Sequence, residues 1–346
     1  LAPVEFRPAI AQQPQEVELG RWVIDTALTQ IAAWQDAGVD LPVSVNISGF
    51  HLQQASFLDE LRALLAAHPN VPRGYLELEV LESSALEDIA LVSAVIDASA
   101  TPGVSFSLDD FGTAYSSLTY LKRLPSQVLK IDQSFVRDML QDSDDLAILE
   151  GILGLATAFR RRAIAEGVET VAHGETLLRL GCDLGQGYGI ARPMAAADLP
   201  AWRQRWRPDP RWAHAHCLDR ELMPVLIAGV EHRGWIVALG EHRDGRRDAP
   251  PPLDHHQCRF GQWLDKTIHQ PRHAATFATI ETLHLRVHAL AADLLKRRSQ
   301  GHDVEALAGM AELHALWDAL LVHLEYLLKD DPRSLAPSSG GGSNCR

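Results

Sequence analysis

The chain of 346 residues has few cysteines and no long apolar run. Its four cysteines are irregularly spaced, a pattern unlike that of a disulfide framework, so we expect a reducing, cytoplasmic location. The longest apolar stretch, residues 147–159, is too short to span a bilayer and contains Glu150, which argues against a membrane span. No signal peptide is visible, and because the chain begins with Leu1 rather than Met we expect a fragment of a longer protein.

Basic residues are in the minority, with 32 Lys and Arg against 45 Asp and Glu and a formal net charge of −13. This balance argues against a nucleic-acid polymer as partner, because binding a phosphate backbone needs a basic surface. It leaves open a small phosphodiester held through metal ions. Neither a GxGxxG fingerprint nor a P-loop is present, which disfavours a nucleotide-binding doubly wound sheet.

The distribution of histidine divides the chain. Thirteen of the 16 histidines follow residue 211, and a segment rich in Trp, Arg and Pro precedes that point. We therefore predict an α/β domain over residues 1–207, a linker over 208–217, a helical domain over 218–332 and a flexible tail over 333–346.

Strand-like and helix-like segments alternate in the first domain. Strands are predicted around residues 41–48, 75–83, 104–110, 128–132, 163–169 and 181–188, and helices over 17–36, 57–67, 88–98, 146–160 and 171–180. Such alternation indicates a parallel sheet, and we predict a TIM-type (β/α) barrel.

Polar side chains occupy the C-terminal ends of nearly all these strands. They are Asn46, Glu79, Asp109, Asp110, Lys130, Glu166 and Gln186. In a (β/α) barrel those ends converge on one mouth, where active sites lie. Hard oxygen ligands suit Mg²⁺ or Mn²⁺, and adjacent aspartates allow one carboxylate to bridge two ions. A two-metal site of this kind clamps the attacking and leaving oxygens of a phosphodiester, with Lys130 orienting water or neutralising charge.

The ordered motifs of this region resemble those of EAL-domain cyclic-di-GMP phosphodiesterases. The motifs are VNIS (45–48), ELEVLES (77–83), DDFGTAYSSL (109–118), LKIDQSFV (129–136), AEGVET (165–170) and GQGYGIARPM (185–194). The resemblance covers about residues 1–200. It implies a TIM-type barrel that hydrolyses bis-(3′,5′)-cyclic diguanylate to linear pGpG with two Mg²⁺ or Mn²⁺ ions.

The resemblance also implies a role for each matching residue. Asn46, Glu79, Asp109, Asp110 and Glu166 would bind the metals, and Lys130 would orient the catalytic water with Asp109, Asp110 and Glu166 as its catalytic partners. Gln186, Asp132 and Glu169 would contact substrate. Glu82 would anchor the loop after Asp110, a loop that in the family bears on metal binding and dimerisation.

The chain departs from the family pattern at three places. The name-giving Glu-Ala-Leu segment, which supplies a further metal ligand, is absent, so we expect the barrel to lack its first strand. Leu81 stands where Thr is usual, and Ala114 where Gly is usual. These departures keep open a second reading, a catalytically silent cyclic-di-GMP receptor, and a third, a structural zinc protein with a relict barrel.

Helix-length apolar periodicity marks the last 130 residues, over 218–239, 274–299 and 304–329, with a short helical piece at 260–266. We predict an all-α bundle. It contains His232, then Cys258, then His284 and His288 at i, i+4 spacing, which places both imidazoles on one helix face. Three imidazoles and a thiolate form a suitable tetrahedral Zn²⁺ set.

The order and spacing of these residues resemble the chemoreceptor zinc-binding domain, a helical sensory module. The resemblance implies that His232, Cys258, His284 and His288 bind zinc, and that Phe260 and Trp263 pack the short helix. We assign the remaining histidines, including His255 and His256, to surface or packing. The two resemblances together predict a phosphodiesterase tuned by zinc through a homodimer.

Overall fold

The computed structural model describes residues 3–100, 103–113, 118–266 and 274–329. The predicted tail over 333–346 and the Ala114 position lie outside the described residues. Contacts group the chain into two compact units. One comprises Leu1–Val136, Glu150–Val171 and Cys182–Asp209; the other comprises Arg137–Leu149, Ala172–Gly181 and Pro210–Arg346. The domain limits drawn from the sequence stay a prediction.

The first unit is built on five parallel strands whose order in the sheet is their order in the chain. They are β1 (Val43–Ile47), β2 (Leu76–Leu81), β3 (Ser105–Phe111), β4 (Val128–Ile131) and β5 (Arg162–Ala165). The last predicted strand, residues 181–188, is reduced to a single bridge between Ala165 and Gly185.

Helices connect successive strands, as a parallel sheet requires. Through the strand region they are α1 (Pro3–Ile10), α2 (Pro14–Asp36), α3 (Gly49–Leu52), α4 (Phe57–Ala67), α5 (Glu82–Glu87), α6 (Ile89–Ala100), α7 (Leu118–Arg123), α8 (Gln133–Asp138), α9 (Ser143–Ala158), α10 (Val171–Arg179) and α11 (Leu199–Arg205). The parallel α/β architecture predicted from the sequence is confirmed. The additional short helices α3, α5 and α8 begin within two residues of the end of a strand, and these three and α7 are too short to show an apolar period.

The strands explain which side chains reach the site. In β2, Leu78 and Val80 are fully buried and alternate with Glu77 and Glu79. Because alternate residues of a strand face opposite sides of the sheet, one face is apolar and the other is acidic. The apolar face packs with the helices; burying each such Leu or Val side chain contributes about 1.5–3 kcal/mol.

The C-terminal part of the second unit is helical, as predicted. Its helices are α12 (Pro210–His214), α13 (Met223–Arg243), α14 (Arg259–Lys266), α15 (Ala274–Ser299) and α16 (Asp303–Lys329). Helix α13 begins five residues later than the predicted position 218, with Pro224 in its first turn, where a missing N–H costs nothing. The bundle core is formed by α13, α15 and α16 through Trp235, Leu239, Val287, Ala291, Leu294 and Leu313.

No helix within the described ranges combines the length and apolar character needed to cross a membrane.

Candidate functional site

A buried lysine gathers three carboxylates at the ends of the parallel strands. The ammonium of Lys130 on β4 lies 2.8 Å from Glu79 Oε2 and 2.8 Å from Asp109 Oδ1. It also lies 2.5 Å from Oε1 of Glu166, which is the first residue after β5. All four side chains are at most 15% exposed. The strand ends therefore converge, as the sequence predicted.

The pKa values of Glu79, Glu166 and Lys130 are all raised from their ordinary values. Burial raises the pKa of Glu166 to about 7 against the opposing effect of Lys130, and burial likewise raises the pKa of Glu79. Burial alone would lower the pKa of Lys130. Hydrogen bonds to the carboxylates of Asp109, Glu166 and Glu79 outweigh it, so the lysine pKa rises and the ammonium stays charged.

Adjacent side chains of a regular strand point to opposite faces, so a local irregularity is needed for Asp109 and Asp110 to converge. The pairing of β3 with β4 shifts between Leu108 and Phe111, which is a β-bulge. Asp110 has a φ of 54°, in the left-handed region that non-glycine residues seldom adopt. Burial, followed by the charges of Asp109 and Asp132, raises the pKa of the Asp110 carboxyl. The bulge thus turns two consecutive acids toward one site.

Carboxylate oxygens of Asp109, Asp110 and Glu166 lie within 4.8 Å of one another and could hold a metal ion. Glu79 is joined to them through Lys130. Asn46 is in register with Glu79 on the neighbouring strand and is exposed. The donors available at this mouth are hard oxygens, and they fit the divalent ions predicted for it.

The remaining predicted residues surround this cluster. Gln186 Nε2 donates to Glu166 Oε1 at 2.8 Å and so orients that carboxylate. Gln186 and Glu169 line a cavity of about 600 Å³ beside Glu166. The guanidinium of Arg192 stacks over the Tyr188 ring at 4.6 Å in the wall of the same cavity, a feature that the sequence reasoning missed.

Glu82 is the first residue of α5, and its buried side chain accepts a hydrogen bond from the Gly112 N–H at 3.0 Å. Gly112 has a φ of 103°, which favours glycine where the chain leaves β3. This contact supports the loop-anchoring role predicted for Glu82, although the loop residues 114–117 lie outside the described ranges.

The four predicted zinc ligands are brought together in the second unit. Ligand atoms of His232, Cys258, His284 and His288 lie within 4.8 Å of one another, and the three histidines are about 1% exposed. Cys258 Sγ lies 3.3 Å from His284 Nε2.

Two of the imidazoles are oriented by backbone carbonyls. His232 Nδ1 is 2.8 Å from Ala228 O, and His288 Nδ1 is 3.2 Å from Leu253 O. Their Nε2 atoms are buried and have no hydrogen-bond partner within the described part of the chain. A metal ligand histidine typically uses its other ring nitrogen in this way, so the unsatisfied Nε2 atoms fit a bound zinc ion.

The pKa values agree with neutral imidazoles. Burial, followed by the charges of neighbouring histidines, lowers the pKa of His284 to about 2. Burial also lowers the pKa of His288 to about 4, and lowers that of His232. Burial raises the pKa of the Cys258 thiol, so zinc binding must displace a thiol proton.

The turn that carries Cys258 is held by close packing that the sequence motif did not explain. A Cβ atom at Gly261 would lie 1.7 Å from His255 O, so only glycine allows this approach of α14 to the turn. The Cys258 thiol donates to the same carbonyl at 3.4 Å. Phe260 stacks on Trp263, with ring centroids 5.6 Å apart, as predicted for the short helix.

Comparison with known proteins assigns both regions. Residues 1–193, more than half of the chain, match the family model of the EAL domain. The chain belongs to the EAL-domain family. Residues 232–295 match the chemoreceptor zinc-binding domain, and this segment contains the predicted ligands His232, Cys258, His284 and His288. Both resemblances stated from the sequence are confirmed, and with them the barrel class of the first region.

Curated relatives carry the same domain within longer chains. The EAL-domain chain is 41% identical over 202 residues to the bifunctional diguanylate cyclase/cyclic di-GMP phosphodiesterase MucR of Pseudomonas aeruginosa, covering 58% of this chain and 29% of MucR. It is 34% identical over 206 residues to the cyclic di-GMP phosphodiesterase PdeR of Escherichia coli, covering 60% and 31%. It therefore spans about a third of the length of these relatives.

Solved structures agree with the fold. The PaMucR phosphodiesterase in complex with c-di-GMP has a TM-score of 0.55 at 40% identity, covering 57% of this chain and 81% of that one. The EAL domain of Mycobacterium smegmatis DcpA has a TM-score of 0.52 at 35% identity, covering 56% and 86%.

Proposed function

We propose that the first region hydrolyses cyclic di-GMP to linear pGpG with two Mg²⁺ or Mn²⁺ ions. The observation that carries this proposal is the convergence of Glu79, Asp109 and Glu166 on the Lys130 ammonium at the C-terminal edge of the sheet. The phosphodiesterase names of the relatives and the c-di-GMP complex of PaMucR support the substrate.

The metal ligands would be Asn46, Glu79, Asp109, Asp110 and Glu166. Divalent ions bound by them would activate a water molecule at neutral pH and neutralise charge on the phosphodiester. The carboxylates must be ionised to bind, and Glu166, with a pKa of about 7, is the ligand whose proton competes with metal near neutrality.

The polypeptide contributes positioning and charge. Lys130 stays protonated and its three N–H donors are directed at the carboxylates of Asp109, Glu166 and Glu79. Ions bound by those carboxylates would free a donor of the ammonium to orient a water or an equatorial phosphate oxygen.

Gln186 holds Glu166 in one orientation. The cavity beside them, with Gln186 and Glu169 in its wall, has room for part of a dinucleotide, and we assign these two residues to substrate contact. Asp132, which lies outside that wall and acts on the Asp110 carboxyl through its charge, is assigned the same role from the resemblance.

Replacing Asp109 by Asn tests the assignment. It keeps the shape of the side chain but removes the charge shared with Lys130 and the neighbouring acids, so we expect hydrolysis to fall by roughly 10²–10³-fold. Asp183→Asn, at an exposed position of the first unit, is the matched control and should retain activity. Hydrolysis should be followed by chromatography of pGpG, both in this chain and in a longer version continuing upstream of Leu1. Full turnover by Asp109→Asn would overturn the metal-bridging role.

One observation favours a second function, a cyclic-di-GMP receptor without hydrolysis. Leu81 is in register with Asp109 on the adjacent strand, so a hydrocarbon side chain stands where the family usually has a hydroxyl. Measuring hydrolysis and equilibrium binding on the same preparation separates the two functions. Binding without hydrolysis in the longer version, together with hydrolysis restored by Leu81→Thr, would establish the receptor.

For the second unit we propose a zinc centre formed by His232, Cys258, His284 and His288. The two unpartnered, buried Nε2 atoms and the adjacent thiol support it. One Zn²⁺ per chain is expected by elemental analysis, and Cys258→Ser should weaken its binding strongly because a hydroxyl is a poor zinc ligand. Unchanged affinity in Cys258→Ser would exclude the thiolate from the centre.

We further propose that zinc occupancy tunes the phosphodiesterase and biases a homodimer. Arg259, next to Cys258, lies 2.7 Å from Asp144 Oδ1 in the first turn of α9 and 3.4 Å from Glu231 Oε1. These three residues belong to the second unit, whereas α9 continues along the chain into the first. A shift of Cys258 on binding zinc would therefore act on α9 through Arg259.

Chelating zinc from the intact protein should change turnover, cyclic-di-GMP affinity or oligomeric mass, and Arg259→Ala should reduce that change while leaving zinc bound. Arg286→Ala, on the bundle helix α15, is the control. If zinc removal alters none of the three quantities, the regulatory proposal is wrong.

A further inference from the structure

A cavity of about 910 Å³ lies within the second unit, and none of the candidate metal ligands is in its wall. Helices α10, α13 and α16 line it, each through residues three or four apart that share one face of the helix. A cavity of this size holds a small organic ligand. Neither of the metal sites proposed above accounts for it.

Hydrocarbon side chains form part of the wall. Leu226 on α13 and Leu328 on α16 are buried, and the half-buried Leu140 and Leu321 add to the same surface. A Cβ atom at Gly229, also in the wall, would meet no atom within 4 Å, so this part of α13 faces open space. Because water gains little from contact with hydrocarbon, such a space favours the apolar chain of a ligand.

Positively charged side chains from three helices reach the same cavity. They are Arg179 of α10, Arg211 of α12 and Arg233 of α13, against the two acids Glu175 and Glu325. Arg179 and Glu175 neutralise each other at a separation of 2.6 Å. Arg233 is half-buried, and its guanidinium makes no hydrogen bond or ion pair with any residue in the described ranges. Its donors are therefore available to an anion.

The charged and apolar parts of the wall are separated along the helices. Leu226 lies two helical turns before Arg233, a distance of about 10 Å at 1.5 Å per residue. Trp317 Nε1 on α16 donates to the carbonyl of His232, next to Arg233, at 3.1 Å. Leu328, further along α16, shares the cavity with Leu226, so the two helices run antiparallel. A ligand with its anionic head at Arg233 would therefore meet hydrocarbon from both helices beyond it.

We propose that this cavity binds a medium-chain aliphatic carboxylate, with the carboxylate on Arg233 and the chain along α13 toward Leu226 and Leu328. A guanidinium donates two parallel N–H bonds to a carboxylate, and these charge-assisted bonds fix the head of the ligand. An extended chain of about nine carbons covers the distance to Leu226, because carbon–carbon bonds of about 1.5 Å run in a zigzag. The proposal depends on neither the phosphodiesterase nor the zinc centre.

Isothermal titration calorimetry of the full chain with decanoate tests the site. Octanoate measures the contribution of the chain, and decyltrimethylammonium, with a chain of similar length and the opposite charge, measures that of the head. Arg233→Gln removes the cation, and Arg286→Gln, at an exposed position of α15, is its matched control. Gly229→Leu fills the cavity from α13. Its control is Gly240→Leu, because a Cβ atom at Gly240 also meets no atom within 4 Å but lies outside the cavity wall.

We expect one decanoate to bind per chain, and octanoate to bind about 15-fold more weakly, since each buried methylene is worth about fourfold in affinity. Arg233→Gln should weaken decanoate binding by roughly 10–100-fold, the usual effect of losing hydrogen bonds to a charged group. Gly229→Leu should abolish it, and both control variants should bind as the parent does. Circular dichroism establishes that each variant keeps the helical content of the parent.

Three results would overturn the carboxylate site. The first is the absence of saturable decanoate binding by the parent chain. The second is binding of decyltrimethylammonium as tight as that of decanoate, because the head group would then not be read by Arg233. The third is unchanged decanoate affinity in either Arg233→Gln or Gly229→Leu, which would place the ligand elsewhere on the protein.

Discussion

Lys130→Met removes the buried positive charge that pairs with Glu79, Asp109 and Glu166, and it should lower the free energy of unfolding. At 2.8 Å and an effective dielectric of about 20, each ammonium–carboxylate pair amounts to ~6 kcal/mol of Coulomb attraction before desolvation is subtracted. Removing one partner of a buried pair typically costs about 3–5 kcal/mol because the other charge stays buried. We expect this loss in EDTA at pH 7.5, a fall in the melting temperature of roughly 6–20 °C.

The sign of the pH dependence follows from the carboxyl pKa. In the native protein the pKa of Glu166 is raised to about 7, so its ionisation costs stability as the pH rises through that value, and its protonated form is favoured below. Without the ammonium that pKa rises further. The difference between Lys130→Met and the parent should therefore be largest above pH 7 and should shrink toward pH 5, where the carboxyl groups take up protons.

Thermal unfolding by circular dichroism gives the magnitude, and hydrogen exchange of β2 to β4 shows that the loss lies in the first unit. Lys122→Met, at an exposed position of α7, is the matched control and should change stability little. Mn²⁺ should restore more stability to Lys130→Met than it adds to the parent, because the metal no longer shares the carboxylates with an ammonium. A loss no larger than that of the control, or one independent of pH, would refute the account of Lys130 as the internal counter-charge.

Four further predictions test the packing and the metal centres. Gly151→Ala should stabilise the protein by about 0.5–1 kcal/mol, because an alanine Cβ at this helical position meets no neighbour. Gly20→Ala should destabilise it by about 1–3 kcal/mol, because its Cβ would clash with the buried ring of His51. Urea unfolding measures both changes. Burial raises the pKa of Cys182 to about 11, so about 1 in 1,000 thiols is ionised at pH 8, and mass spectrometry should find this cysteine alkylated only after unfolding. Gly261→Ala should weaken zinc binding by pushing the ligand turn from α14, measured by chelator competition. Chelation of zinc should speed hydrogen exchange in α13 and α15 while leaving β2 to β4 protected, and equal acceleration in both regions would contradict a stabilising effect of zinc that is confined to the bundle.

Parts of both candidate metal sites were predictable from local patterns in the sequence. Strand ends marked Glu79, Lys130 and Glu166, because polar residues interrupt apolar runs at a fixed point of each β-α unit. The helical spacing of His284 and His288 likewise fixed a shared face. Both signals depend on local periodicity, and local periodicity survives in a single sequence.

What the sequence did not reveal depends on packing between segments. The bulge that turns Asp110 toward Asp109 is a shift in the pairing of β3 with β4. The residues of β3 alone contain no pattern that predicts it. His255 was assigned to surface or packing because it lies outside the zinc-binding motif, and its approach to His284, with ring centroids 5.9 Å apart, depends on how the turn before Cys258 folds.

Charge is compensated differently in the two clusters of candidate metal ligands. In the first unit the carboxylates keep a resident cation, Lys130, so charge is compensated within the chain. In the second unit compensation is by proton release, because the depressed pKa values of His284 and His288 keep the imidazoles neutral. Neutral imidazoles avoid repulsion but leave buried Nε2 atoms unsatisfied, at a cost of about 1–3 kcal/mol each. A zinc ion bound at the proposed centre would remove that cost and stabilise the bundle, whereas Lys130 already holds the carboxylates of the mouth together. Stabilisation by its ligand would suit the bundle to the proposed sensing of zinc, and prior organisation would suit the mouth of the sheet to the proposed catalysis.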